Sequence, residues 1–112
     1  MAAGTYNFTL EQGSTFSRQI TVQENSSALN LTGYTARMQM RSTHDSSSIA
    51  LTFTATIASP ASNGIINLSA TAGNSTNVEE GMYVYDLEIE SSGGVVTRLM
   101  EGKVTVTPEV TR

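Results

Sequence analysis

Gly81-Met-Tyr-Val-Tyr-Asp-Leu-Glu-Ile-Glu90, then Ser91-Ser-Gly-Gly94 and a restart at Val95, carries the strongest structural signal in the chain. Tyr83, Tyr85, Leu87 and Ile89 fall on one side of a two-residue repeat, and Asp86, Glu88 and Glu90 on the other. Only a strand has that period. A glycine turn between two such runs predicts a β-hairpin. The second arm keeps its alternation through Val104 and Val106 and stops at Pro108, which has no N–H to give a ladder. Glu101-Gly102 interrupts that arm, and a β-bulge is expected there.

Upstream, Leu31-Thr-Gly-Tyr-Thr-Ala-Arg-Met-Gln-Met-Arg41 alternates in the same way, with Tyr34, Ala36, Met38 and Met40 inward and Arg37 and Arg41 outward. Tyr6, Phe8 and Leu10 mark a first strand, Glu11 to Ser14 a turn, and Phe16 to Gln23 a second strand. Glu24 to Ala28 reads as a loop, and so does the polar run Ser42 to Ser48. Leu51, Phe53, Ala55 and Ile57 share one face of the next strand. Ser59 to Gly64 carries the Asn-Gly turn signal, and Ile66, Leu68 and Ala70 follow as an inward face. Thr71 to Glu80 fits a strand poorly and suits a single helical turn. About seven short strands with turns between them predict one all-β domain over residues 1–112, an immunoglobulin-like antiparallel β-sandwich. The Cys and Trp marks of true immunoglobulin domains are absent, so this likeness is one of architecture.

Composition narrows the functions. With 112 residues the chain buries roughly two-thirds of its unfolded surface, enough for one core. No cysteine is present, so disulfides and thiolate metal sites are excluded, which suits a reducing compartment. A net charge of −4 with scattered basic residues argues against a nucleic-acid partner. No apolar run approaches the ~18 residues of a membrane span, and the N-terminus lacks the basic and apolar regions of a signal peptide. Charged residues make up 14% of the chain, and the abundant Ser and Thr predict polar, uncharged outer faces suited to protein contacts.

Residues that could carry chemistry are few. His44, the single histidine, sits in Ser42-Thr-His-Asp-Ser-Ser-Ser48, where sequence neighbours in a loop cannot hold a three-member relay. Asp86, Glu88 and Glu90 form a carboxylate ladder whose members lie roughly 6.5 to 7 Å apart, too far to chelate one ion without another strand. Ion pairs with Arg37 and Arg41 are expected instead, worth a few tenths of a kcal/mol each. Five Asn-X-Ser/Thr triplets, at Asn7, Asn25, Asn30, Asn67 and Asn74, are the chance yield of a Ser/Thr-rich chain. Met38 and Met40 fill core; Met82 and Met100 fall outside the main stripe.

Four segments carry a resemblance: Phe8-Thr-Leu-Glu-Gln-Gly-Ser-Thr-Phe16, Leu31 to Arg41, Val84-Tyr-Asp-Leu-Glu-Ile89, and Thr97-Arg-Leu-Met-Glu-Gly-Lys-Val-Thr-Val106 with Pro108-Glu-Val-Thr-Arg112. In this order they resemble a family of small bacteriophage structural domains, and they are similar to the N-terminal β-sandwich domain of phage upper baseplate proteins. The resemblance implies a non-enzymatic virion protein, made in the host cytoplasm, without cofactor or metal. It implies a tail, baseplate or fibre-attachment component, with capsid decoration as a cement protein the alternative. The implied partners are tail or baseplate proteins or the major capsid protein, with further copies in a homo-oligomer, and neither nucleic acid nor membrane.

Assembly contacts are expected at the two arms, Ala2, Ala3, Gly4 and Thr5 and then Pro108, Glu109, Val110, Thr111 and Arg112, which have no evident core partners. Strand addition to a neighbour is the expected mode. A carbohydrate-binding β-module is a second alternative, weakened because Tyr34, Tyr83 and Tyr85 fall on core faces and there is no Trp.

Overall fold

The computed structural model describes residues 4–24 and 26–110. Ten strands are formed among them: β1 (Gly4–Thr5), β2 (Phe8–Glu11), β3 (Phe16–Thr21), β4 (Gln23–Glu24), β5 (Ser27–Ala28), β6 (Thr35–Arg41), β7 (Leu51–Ile57), β8 (Ile65–Ala70), β9 (Gly81–Glu90) and β10 (Val96–Thr107). A single turn of helix, α1 (Ala72–Ser75), lies within the segment Thr71 to Glu80. The Thr71 hydroxyl caps it by accepting from the Asn74 N–H.

The sheet order is β1-β10-β9-β6-β7-β8-β3, with β2 also against β10. β7 belongs to both layers. Leu51 and Phe53 pair with Met40 and Met38 of β6, and then Thr54 to Ile57 pair with β8. A strand that changes partner halfway lets one hydrogen-bonded path curl over itself and enclose a core between two faces. This is the expected all-β sandwich, more finely divided than seven strands, and β1 and β2 run parallel to β10 rather than antiparallel. Phe16 to Gln23 is not one strand: it breaks at Val22, which donates to the Gly64 carbonyl and accepts from Leu29 N–H. Part of the expected loop Glu24 to Ala28 is the second arm of the small β4–β5 hairpin.

The alternating apolar residues fill the interior. Leu10, Leu31, Met38, Met40, Ile66, Leu68, Leu87, Ile89 and Val104 are essentially inaccessible. Phe8, Phe16, Phe53 and Tyr85 add a ring cluster in which Phe8 lies 5.0 Å from Tyr85 and 5.1 Å from Phe16, centroid to centroid. Met82 is exposed and Met100 half-buried, outside the main stripe as expected.

Two glycines are required by close approach. Gly64 ends the 3-10 turn Ala61–Asn63 at φ +69°, and a Cβ there would stand 2.7 Å from the Val22 carbonyl oxygen. Gly102 does not mark a bulge: the irregularity of β10 lies at Leu99, between Arg98 and Met100. Gly102 is glycine because the Tyr6 carbonyl passes so close that any Cβ would collide with it. Tyr6 donates its N–H to the Glu101 carbonyl, and the Asn7 side chain accepts from Lys103 N–H, so β1 and β2 act as one interrupted strand along β10.

Candidate functional site

Two surfaces stand out, one polar and one mixed. The polar one is a basin of about 250 Å³ on the outer face of β6, β9 and β10, lined by Gln39, Arg41, His44, Asp86, Glu88 and Glu101 among others. The pleat of β9 sends Asp86, Glu88 and Glu90 to this side, as the alternation predicts. Arg37 of β6 stands opposite Glu88 in register and bonds Glu88 and Glu90, each at 2.9 Å. These bonds, to Glu88 first, raise the guanidinium's pKa further.

Arg41 does not join the ladder as expected. It donates to the Ser46 carbonyl and to Gln39, because the loop after β6 folds back within its reach. Arg98 takes that place, 3.4 Å from both Asp86 and Glu101. Partial burial lifts the Asp86 carboxyl above its ordinary range; Glu88 and Glu101 add to the lift, and Arg98 and His44 oppose it. The fold thus brings His44 to the rim of a carboxylate cluster, which no sequence spacing announced. Among the described residues no group of three or more His, Cys, Asp or Glu is placed to hold a metal ion. The surface is a cross-strand ion-pair network whose members are mostly solvated.

The second surface is a seam, apolar at its centre and polar at one end, where Thr9, Glu11, Ser14 and Thr15 line it. The curled sheet does not close: β3 is at one end of the strand order, and β1 and β2 lie along β10 at the other. Between them three clefts of about 200, 240 and 270 Å³ run end to end. The first two share Phe16 and Arg18, and the last two share Tyr6, Ile20 and Met100, so they form one groove. Tyr6 is 46% exposed at its lip.

The hydrogen-bond phase of β3 follows from its neighbours. Val22 N–H donates to Gly64 and Ala58 N–H to Ile65, so even-numbered β3 residues bond toward β8. Ser17, Gln19 and Thr21 therefore turn their N–H and C=O groups away from β8, and all three residues are exposed. Among the described residues β3 pairs with no second strand. The Ser17 carbonyl accepts from the Arg18 guanidinium at 3.1 Å, and that guanidinium also lies 5.1 Å from the centre of the Phe16 ring. Arg18 thus folds back over its own strand edge.

The arms expected to make assembly contacts are held by the chain itself where they are described. Gly4 and Thr5 pair with Met100 and Glu101. Glu109 N–H donates to Gln12, and the Thr76 hydroxyl bonds the Glu109 carboxylate. The neighbouring Gly13 N–H donates to the fully buried Ser75 hydroxyl, which itself donates to Ser14. The tail thereby packs on an anchored turn. Pro108 follows the end of β10, and Val110 is 89% exposed. Ala2, Ala3, Thr111 and Arg112 lie outside the described residues.

No protein-family model matches the chain, and no curated protein sequence matches it. Among solved structures it is similar to the crystal structure of CopC from Methylosinus trichosporium OB3b, at 12% identity and a TM-score of 0.50, over 100% of this chain and 90% of that one. At that identity the likeness shows the fold alone. It does correct the expectation of a bacteriophage virion protein, whether tail component or capsid cement: the matched structure is a CopC, and neither sequence comparison supplies a phage relative. The physical reason is that strand alternation and turn placement, which make up much of the four resembling segments, are demanded by any β-sandwich of this size.

Proposed function

We propose that this domain is a non-catalytic protein-interaction module that takes up an extended segment of another protein along the outer edge of β3. One observation carries this reading. The edge of β3 runs in unbroken register with β8 from Phe16 to Thr21, and it offers the outward groups of Gln19 and Thr21 to solvent beside an apolar groove. Main-chain hydrogen bonds along such an edge supply affinity, and pockets for alternate side chains supply selectivity. The groove admits both, because Phe16 and Ile20 face it on the same side of the strand.

The test is selection of a yeast-displayed library of random decapeptides on the purified domain, followed by affinity measurement on Gln19→Pro. Proline at position 19 deletes one outward N–H and the exposed side-chain bond from Gln19 to Asn67, and leaves the backbone bonds to β8 in place. Enriched peptides should bind this variant about tenfold or more weakly, the loss expected for one bond of about 0.5–1.5 kcal/mol plus obstruction by the ring. Equal affinity for both proteins, or no enriched peptide, would overturn the reading.

A further inference from the structure

We infer that the segment received in the seam carries a carboxylate facing Arg18 and an apolar side chain two residues away facing Ile20. This rests on the strand-addition reading and specifies the chemistry of its occupant. Arg18 is the single charged side chain lining the central cleft; the remainder is Tyr6, Phe8, Phe16, Ile20 and Met100 with a few neighbours. Among the described residues its guanidinium is held by neutral groups, the Ser17 carbonyl and the Phe16 ring. Among the described residues no carboxylate lies within ion-pair distance of it. An incoming strand needs the Ser17 carbonyl for its own ladder, and so it displaces Arg18 from its present acceptor. A carboxylate on that strand gives the released guanidinium a stronger, charge-assisted partner.

Spacing fixes the second feature. Arg18 and Ile20 are two residues apart on one face, roughly 6.5–7 Å, and the side chains of a paired strand repeat at the same interval. The residue opposite Ile20 then enters the apolar part of the groove, between Ile20 on one wall and Tyr6 and Met100 on the other.

Charge decides against a second copy of this chain as the occupant. Two β3 strands pairing antiparallel about Gln19 would place Phe16, Arg18, Ile20 and Val22 of each on one face. That face has no carboxylate, and the two arginines would be diagonal neighbours. Unoccupied, Arg18 has a protective role: an inward charge folded over the edge discourages indiscriminate pairing.

The experiment runs the decapeptide selection at low ionic strength, where such pairs are least screened, on the native domain and on Arg18→Glu. Peptides from the native domain should carry Asp or Glu at one fixed position, enriched about threefold or more over the input, with an apolar residue two positions away. Arg18→Glu should enrich Lys or Arg at that position instead, a reversal that mere loss of packing does not produce. If enriched peptides lose affinity for Gln19→Pro but show no acidic preference, strand addition stands and this inference falls. If nothing is enriched, both fall. A dimer of the domain alone in sedimentation, dissolved by Gln19→Pro, would give the edge to a second copy and overturn the inference.

Discussion

β9 and β3 have the same kind of sequence, a short alternating run ending near a turn, and they meet opposite fates. β9 lies between β10 and β6, paired with β10 from Gly81 to Glu90 and with β6 from Val84 to Glu90. Its inward residues Tyr85, Leu87 and Ile89 are buried, and its outward carboxylates are matched by arginines from both neighbours. Among the described residues β3 has one neighbour, its residues from Ser17 to Gln19 are exposed, and its one arginine bonds its own backbone. A strand's contribution therefore depends on its place in the sheet. β9 holds the sandwich together, and β3 can be altered along its outer edge at little cost to the fold.

Three measurements test that contrast. The largest effect belongs to Leu87→Ala. Leu87 is 0% exposed at the centre of the larger layer, so truncation should cost about 2–5 kcal/mol in denaturant unfolding. A loss below about 1 kcal/mol would mean that the centre is not what holds the fold.

An intermediate effect belongs to Tyr85, whose hydroxyl donates to the Tyr6 carbonyl and so ties the β1–β2 connection to β9. Burial, with a smaller contribution from Tyr6, pushes its pKa up to about 12, against about 10 for a free tyrosine. The folded state keeps this proton more tightly than the unfolded state does. The associated stability is therefore complete below about pH 10 and is lost as pH rises through about 12. Unfolding midpoints should fall across that window, and Tyr85→Phe should reduce the fall. An unchanged pH profile in the variant would assign the alkaline transition to other groups.

The smallest effect is expected of Gln19→Pro, less than about 1 kcal/mol, because among the described residues the lost N–H faces no second strand and the lost side-chain bond to Asn67 is exposed. A cost of several kcal/mol would show that the edge is not free, and the contrast with β9 would fail.

How much of this was legible before folding depends on what each residue needed. The inward faces Met38 and Met40, Ile66 and Leu68, Leu87 and Ile89 were readable because a two-residue period and apolar character are local properties. The helical turn after Thr71 and the end of β10 before Pro108 were readable for the same reason. Gly102 misled, since glycine within a strand fits a bulge and a close approach equally well, and the approaching Tyr6 is 96 residues away in the chain. Alternation predicts the Arg37 ion pairs but not the partners of Arg41, because it gives the face of a side chain and not the loop beside it. The seam gave no sequence signal. Phe16, Arg18 and Ile20 alternate like any strand, and the absence of a second neighbour is a property of the whole sheet.

An all-β chain, the faces its strands turn inward and most of its turns are local matters, because they follow from backbone pleat and side-chain chemistry over a few residues. Which strands become edges, which arginine meets which carboxylate, and where the curled sheet stays open are set by the assembled fold. Those outcomes depend on pairings between residues far apart in the chain, and a local pattern of polar and apolar residues is the same whichever neighbour a strand acquires.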